Sequence, residues 1–384
     1  MTEAQIRTRC YAARQQALRE AVTAAGADVL IAYGSGTHVF IGSNPAWYLS
    51  GFRQMGPHMA MVLPVDGDPF VLVTPKWDEA RARDRSAIGE VVSCDPEDFL
   101  PTLAGELRKR GLAGKRFAVA EGEQTTREIS DAWTGLLGAA PMMAAKAVSD
   151  IARVRDEWSM LCVRKGVRIA EASYEWLLGQ IRPGQWEHEV VAMLEMHIRE
   201  LGAEDNFMLV SSSQHNRSVH MPTQRVLAQG DILLGEITPA VAGEYIQICR
   251  TAVLGEPTAQ QREGFALLDH ALREGMRAAT PGTPVDRVVE AINAPIAAAG
   301  YERYTKPPFM RTRGHSMAMG SMDPEIAFNT GQTLLEGMVF VMHPNQYLPD
   351  VGYMMCGEPV VITPDGAQAL TEHMGTLGTI SWRA

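Results

Sequence analysis

Of the many side chains in this sequence whose types can do chemistry, seven carry the reading: His220, Glu236, Gln247, Cys249, His315, His343 and Glu358. A histidine both accepts and releases a proton near neutral pH, so His220 reads either as an acid–base group or as a loop histidine bonded to backbone. A carboxylate and two imidazoles such as Glu236, His315 and His343 could hold zinc or iron(II) if a fold brought them together. Without a metal, the same imidazoles could bind a substrate carboxylate or carbonyl, or polarise a scissile amide as hydrogen-bond donors. Gln247 and Cys249 lie two apart in a strand-like run, so both side chains can face the same way. A nucleophilic Cys249 would need a nearby base and a lowered pKa; neither is visible, and the residue reads as packing.

The elements that must position these groups follow from periodicity. The chain has 384 residues, long for one hydrophobic core, and two domains are expected, 1–148 and 149–384. The first part alternates helix and strand signals: a helical "EAQIRTRCYAARQQALREAVTAAG", an apolar "DVLIAYG", and "MAMVLPVDGDPFVLVTP", two strands turned at Asp66-Gly67-Asp68. A long helical pattern from Ser149 is ended by Arg182-Pro183-Gly184, and "WEHEVVAMLEMHIRELGA" predicts a second helix. Further helices are expected over about 258–279 and 284–299, then strands "MVFVMHP" and "EPVVIT". Two helix pairs, each with its own strands, give the second domain a duplicated look.

Composition narrows the function classes. With a formal charge of −10 and no Lys/Arg run, the chain carries no electrostatic footprint for a phosphate backbone or an anionic membrane surface, so neither nucleic acid nor membrane is an expected partner. The polar N-terminus lacks the pattern of a secretory signal, and no apolar run reaches membrane-spanning length. The cysteines, at 10, 94, 162, 249 and 356, are odd in number and show no C-x-x-C spacing, which implies neither a disulfide framework nor a zinc knuckle; a cytoplasmic location is expected.

A series of landmarks in order carries a family likeness: "RVRDEWSMLCVRKGVRIA", "RPGQWEHEVVAML", "SVHMPTQRVLAQGDIL", "GEYIQICRT", "RGHSMAMG", "LLEGMVFVMHP" and "VGYMMCGEPVVIT". Residues 150–372 resemble the catalytic domain of the creatinase, prolidase and aminopeptidase P superfamily (M24). The resemblance implies an α/β (α+β) protein, a small N-terminal α/β domain followed by a pita-bread catalytic domain. Metallopeptidases of the family use two aspartates, a histidine and two glutamates. Carried over, the first Asp falls on Glu236, the second on Gln247 and the histidine on His315. The first glutamate falls on His343, and the second near Cys356 or Gly357, with Glu358 just beyond. Only His315 keeps its identity. Two ions held close together need several carboxylates to neutralise them, and this set has at most two.

The expectation drawn from this degenerate set is a metal-independent, creatinase-like hydrolase of a C–N bond, in an amide, a ureido or guanidino compound or a cyclic amidine, with no cofactor. The "E-I" before a glycine and the downstream "RT" are similar to ectoine hydrolases. By resemblance to creatinase, His220 would move protons between water and the departing nitrogen. Glu236 and His315 would complete the catalytic group, and His343, Glu358, Gln247, Arg313 and Arg53 would bind substrate, with Arg311 a further carboxylate anchor. A buried Glu236 needs a cation, a metal or a substrate beside it, or else a salt bridge to Arg250. The resemblance also implies a homodimer whose pocket is shared across subunits and takes a small-molecule substrate. The alternatives are a mononuclear metal-dependent Xaa-Pro peptidase-like hydrolase or lyase, with one divalent ion at Glu236, His315 and His343, and a non-catalytic binding module.

Overall fold

The computed structural model describes residues 1–36, 42–310, 312–317 and 324–382. They form two compact units, one of Met1–Trp158 and one beginning at Ser159.

The first unit is built on a mixed sheet whose six strands run, from one edge, Glu90–Ser93, Phe70–Val73, His58–Pro64, Val29–Ser35, Phe117–Glu121 and Met142–Met143. Alternation along Val29–Ser35 sends Leu30 and Ala32 to one face and Val29, Ile31 and Tyr33 to the other. The first face is covered by Leu18 and Val22 of the helix Glu3–Ala24 and by Val148 and Ala152 of Ala145–Ala152. The second packs against Phe99, Leu103 and Leu107 of Phe99–Lys109 and Ile129 and Trp133 of Arg127–Leu137. The expected hairpin is present: His58–Pro64 and Phe70–Val73 pair antiparallel around Asp66-Gly67-Asp68.

The single long helix expected from Ser149 is two helices, Ala145–Ala152 and Glu157–Gln180. Side-chain bonds that periodicity does not register interrupt it. Arg155 Nη1 donates to the Ala152 carbonyl oxygen at 2.6 Å, and Asp156 accepts from Arg14 Nε at 2.6 Å.

In the second unit the helices Glu157–Gln180 and Glu187–Glu200 accompany a sheet in the order Gly378–Ile380, Ile248–Leu254, Ile232–Val241 and Asp205–Ser213, with Glu244–Tyr245 pairing beside it. The helices Ala259–Ala278 and Val285–Ile296 accompany a second sheet, in the order Gly314–Ser316, Val339–Met342, Glu358–Thr363 and Gly366–Ala369. This is the pita-bread arrangement, and the duplication is visible in it. Leu233 and Ile237 turn toward the first helix pair and pack with Val163, Val167, Val190 and Leu194. By the same alternation Glu236 points the other way. The sheets are stitched where Cys249 and Gly357 exchange both backbone hydrogen bonds, each 3.1 Å. Gly357 is required there by space: a Cβ on it would stand 2.7 Å from His343 Cβ and 2.9 Å from Cys249 Cβ.

Candidate active site

A cavity of about 410 Å³ opens in the second unit, with Glu236, His315, His343 and Tyr353 in its lining. Glu236 comes from the strand Ile232–Val241, one sheet's contribution. His315 lies on Gly314–Ser316 and His343 follows Val339–Met342, neighbouring antiparallel strands of the other sheet. Arg313 accepts a bond from the His343 backbone N–H at 2.9 Å, so His315 and His343 emerge on one face, ring centroids 5.5 Å apart and inclined by 69°.

Electrostatics set these groups apart from surface residues. Burial raises the Glu236 carboxyl to about 7, and no ion pair or hydrogen bond offsets it among the described residues. Burial, with the neighbouring His315, drives His343 down to about 3, and burial lowers His315 as well. Both imidazoles are therefore neutral at pH 7, the form that carries a lone pair. His315 Nδ1 lies 3.1 Å from the Ser316 carbonyl oxygen, which can only accept, so Nδ1 carries the proton and Nε2 the lone pair. The Nδ1 of His343 is buried with no partner. The Tyr353 phenol is pushed up by burial and by the nearby Glu236 carboxylate, so it stays protonated and can donate.

The other expected site residues lie elsewhere. His220 is exposed, with Nδ1 2.7 Å from the Met221 carbonyl oxygen, and does not line the cavity. Gln247 is buried behind it, donating from Nε2 to Thr238 Oγ1 at 3.2 Å. Cys249 is fully buried and its thiol is pushed up, chiefly by desolvation, which fits packing. Glu358 is buried and consumed: Arg250 Nη1 reaches it at 2.9 Å, Thr371 Oγ1 at 2.8 Å and the Gly375 N–H at 2.7 Å. Arg250 therefore serves Glu358, not Glu236. Arg313 is fully buried and bonds the neutral oxygens of Asn293, Asn345 and Gln346 at 2.8, 3.1 and 2.8 Å; burial lowers it to about 10. Arg53 belongs to the first unit, its guanidinium over the Trp47 ring at 5.2 Å. Arg311 lies outside the described residues.

Several lining residues were not singled out from sequence: Arg217, Tyr353, Asn345, Phe309 and Tyr347. Two of them fall inside or beside quoted landmarks, Arg217 just before "SVHMPTQR" and Tyr353 within "VGYMMCGE". Position in a landmark was the available signal.

The protein matches two family models: the metallopeptidase family M24 over residues 161–364 and the creatinase/prolidase N-terminal domain over residues 14–155. It is 23% identical over 337 residues, 85% of this chain and 90% of the relative, to a Xaa-Pro dipeptidase of Pyrococcus furiosus. Among solved structures it resembles an X-Pro aminopeptidase of Thermotoga maritima, with a TM-score of 0.81 and 21% identity over 92% of this chain and 98% of that one. The prolidase of Pyrococcus horikoshii gives 0.80 and 19% over 95% and 99%.

These matches overturn the expectation of a metal-independent, creatinase-like hydrolase with no cofactor, because the family is one of metallopeptidases and the relatives are peptidases. A pair of ions does not fit the residues present: Gln247 has no charge to give, and Glu358 is spent on Arg250. For one ion the donors are of the right kind, a carboxylate without a counter-charge and two neutral imidazoles, one with its second nitrogen on a backbone carbonyl as ligating histidines have it. They are not gathered as a ligand cluster: among the described residues no three His, Cys, Asp or Glu side chains are grouped to hold a metal.

Proposed function

The chain belongs to metallopeptidase family M24, and from that premise we propose that it hydrolyses the C–N bond of a small peptide of the dipeptide class with one divalent cation, which Glu236, His315 and His343, not grouped as ligands in this structure, would have to close upon to hold. The observation that carries this reading is that these three side chains line one cavity while Glu236 lacks a counter-charge. When bound, a cation would polarise the scissile carbonyl oxygen. The chain's own groups bind and orient: Tyr353 offers a phenolic hydrogen bond to a developing negative oxygen, and Phe309 and Tyr347 give the cavity an apolar wall that keeps water off one side of the substrate.

Glycylproline is the first substrate to try, since a relative is named a Xaa-Pro dipeptidase. Protein stripped with chelator should be inactive and recover with manganese, cobalt or zinc, and metal analysis should find one ion per chain. Full activity in the stripped protein, or no bound ion at any concentration tried, would overturn the reading. The cytoplasmic homodimer implied by the family resemblance, with Arg53 reaching the partner's pocket, rests on that resemblance alone. A sedimentation mass equal to one chain would end it. Among the described residues no helix is long and apolar enough to cross a membrane.

A further inference from the structure

The first unit holds a cavity of its own, of about 510 Å³, larger than the one that Glu236 and the histidines line. Segments that the sheet brings to one edge make its walls. The helix Arg127–Leu137 stops at Gly138, which has a left-handed φ of +79°, and Ala139 and Ala140 carry the chain on to the edge strand Met142–Met143. That strand runs parallel to Phe117–Glu121, with Met142 opposite Ala118. The turn through Gly114 and Lys115 enters Phe117–Glu121 from outside the sheet. No side chain larger than a methyl stands at 138–140, and a Cβ on Gly114 or Gly138 would meet nothing within 4 Å. The space between helix end and sheet edge therefore stays open.

The floor of this cavity is apolar and its rim is cationic. Phe117 and Leu137 line it, both part of the cluster that includes Ile129 and Trp133, and Met142 adds a thioether. Lys115 and Arg116 line it from the exposed side, and no acidic side chain does so among the described residues. Asp28 accepts Arg116 Nε at 3.1 Å and Nη2 at 2.9 Å. That pairing fixes the guanidinium and leaves Nη1 with no bond among the described residues, 3.7 Å from where a Cβ on Gly26 would stand. Asp28 neutralises Arg116, so the uncompensated charge is that of Lys115, whose ammonium makes no ion pair or hydrogen bond among the described residues. On a chain of net charge −10 this is a local reversal of sign.

We propose that this cavity binds a small amphipathic acid, its anionic group at Lys115 and Arg116 Nη1 and its apolar body against Phe117, Leu137 and Met142. Cavities of a few hundred Å³ with an apolar lining and a few polar groups at fixed places are the size and kind that take small molecules. A charged acceptor strengthens the hydrogen bonds that Nη1 and the ammonium can donate, which a neutral or cationic head cannot do. The site is independent of the hydrolase reading: its lining lies within the first unit, and the groups which that reading uses lie in the second.

Octanoate and octylammonium share an apolar chain and differ in the sign of the head, while acetate keeps the head and lacks the chain. Calorimetry with the full chain should find one saturable octanoate site, octylammonium at least about tenfold weaker, and no binding of acetate at the same concentrations. Lys115→Glu should weaken octanoate about 3- to 10-fold, the effect of losing one exposed ion pair and gaining a repulsion. Ala140→Trp, which fills the cavity, should abolish binding. Lys115 is exposed and unpaired, so K115E tests the site even if A140W misfolds. Bound octanoate should slow hydrogen exchange in residues 114–117 and 137–143. The absence of a saturable octanoate site, equal affinity for octylammonium or acetate, unchanged affinity in K115E, or protection confined to the second unit would overturn the proposal.

Discussion

Glu187 and Thr223 are joined twice: one carboxylate oxygen of Glu187 accepts the Thr223 N–H at 2.8 Å and its hydroxyl at 2.7 Å. The other oxygen accepts the N–H and hydroxyl of Ser212 at 2.7 and 2.8 Å. A fully buried carboxylate at the start of a helix thus pins both ends of the segment that carries Asn216, Arg217 and His220. Replacing Glu187 by alanine strands two backbone N–H groups and should cost about 2–4 kcal/mol. Denaturant midpoints would show the loss, and limited proteolysis should newly cut between 213 and 223.

The same carboxylate gives a pH dependence. Burial alone would raise Glu187, but the bonds from Thr223 and Ser212 outweigh it and hold it below the usual 4.5. A depressed carboxyl stabilises the fold fully above its unfolded pKa and loses that contribution as pH falls through its folded one. Wild type should therefore lose stability below pH 4.5 more steeply than Glu187→Gln; parallel curves would contradict this.

Glu236 behaves in the opposite sense. In chelated protein its folded value near 7 exceeds the ordinary 4.5, so the folded state keeps a proton that the unfolded chain gives up, and stability declines as pH rises from 4.5 through 7. Glu236→Gln should match wild type at pH 5 and exceed it at pH 8 while weakening divalent-ion affinity. Thermal melts at the two pH values, with calorimetric ion titration, measure both effects.

Arg250 and Glu358 form a buried pair, exposed by only 4% and 1%. Removing one partner leaves the other charge uncompensated, so Glu358→Ala should destabilise by about 3–5 kcal/mol. The double replacement by apolar residues should cost less than the single one. A double-mutant cycle on urea unfolding reads the difference.

Gly357→Ala should cost about 1–3 kcal/mol, because the added methyl meets backbone-rooted Cβ atoms and not a flexible tip. It should also lower divalent-ion affinity, since His343 is one of the two atoms' owners. An unchanged ion affinity would separate the seam from the site.

Much of the fold was legible because apolar periodicity reports helices and strands directly. The helices expected over about 258–279 and 284–299 run Ala259–Ala278 and Val285–Ile296, the second passing Pro295 into a wider helical turn, Ala297–Tyr301, that leaves helical geometry at Gly300 with φ +92°. What periodicity could not show was partnership. Glu358 and Gln247 share strand faces that a sequence reader would aim at a pocket, yet Arg250 and Thr238 occupy them first. Arg313 is taken up by three neutral oxygens from distant segments. Arg217 escaped notice for the converse reason: an exposed arginine in a polar run looks ordinary until Asn216 and Tyr353 are seen to hold it in place.

Glu236 stands on one sheet and the two histidines on the other, with the Cys249–Gly357 backbone exchange as the rivet between them. The spacing between carboxylate and imidazoles is therefore as constant as this seam, where the Arg250–Glu358 pair and the Thr251–Met355 bonds reinforce the exchange. Slight parting of the halves on warming would widen the grip on a guest ion well before either half lost its helices, so inactivation by heat should precede the loss of secondary structure.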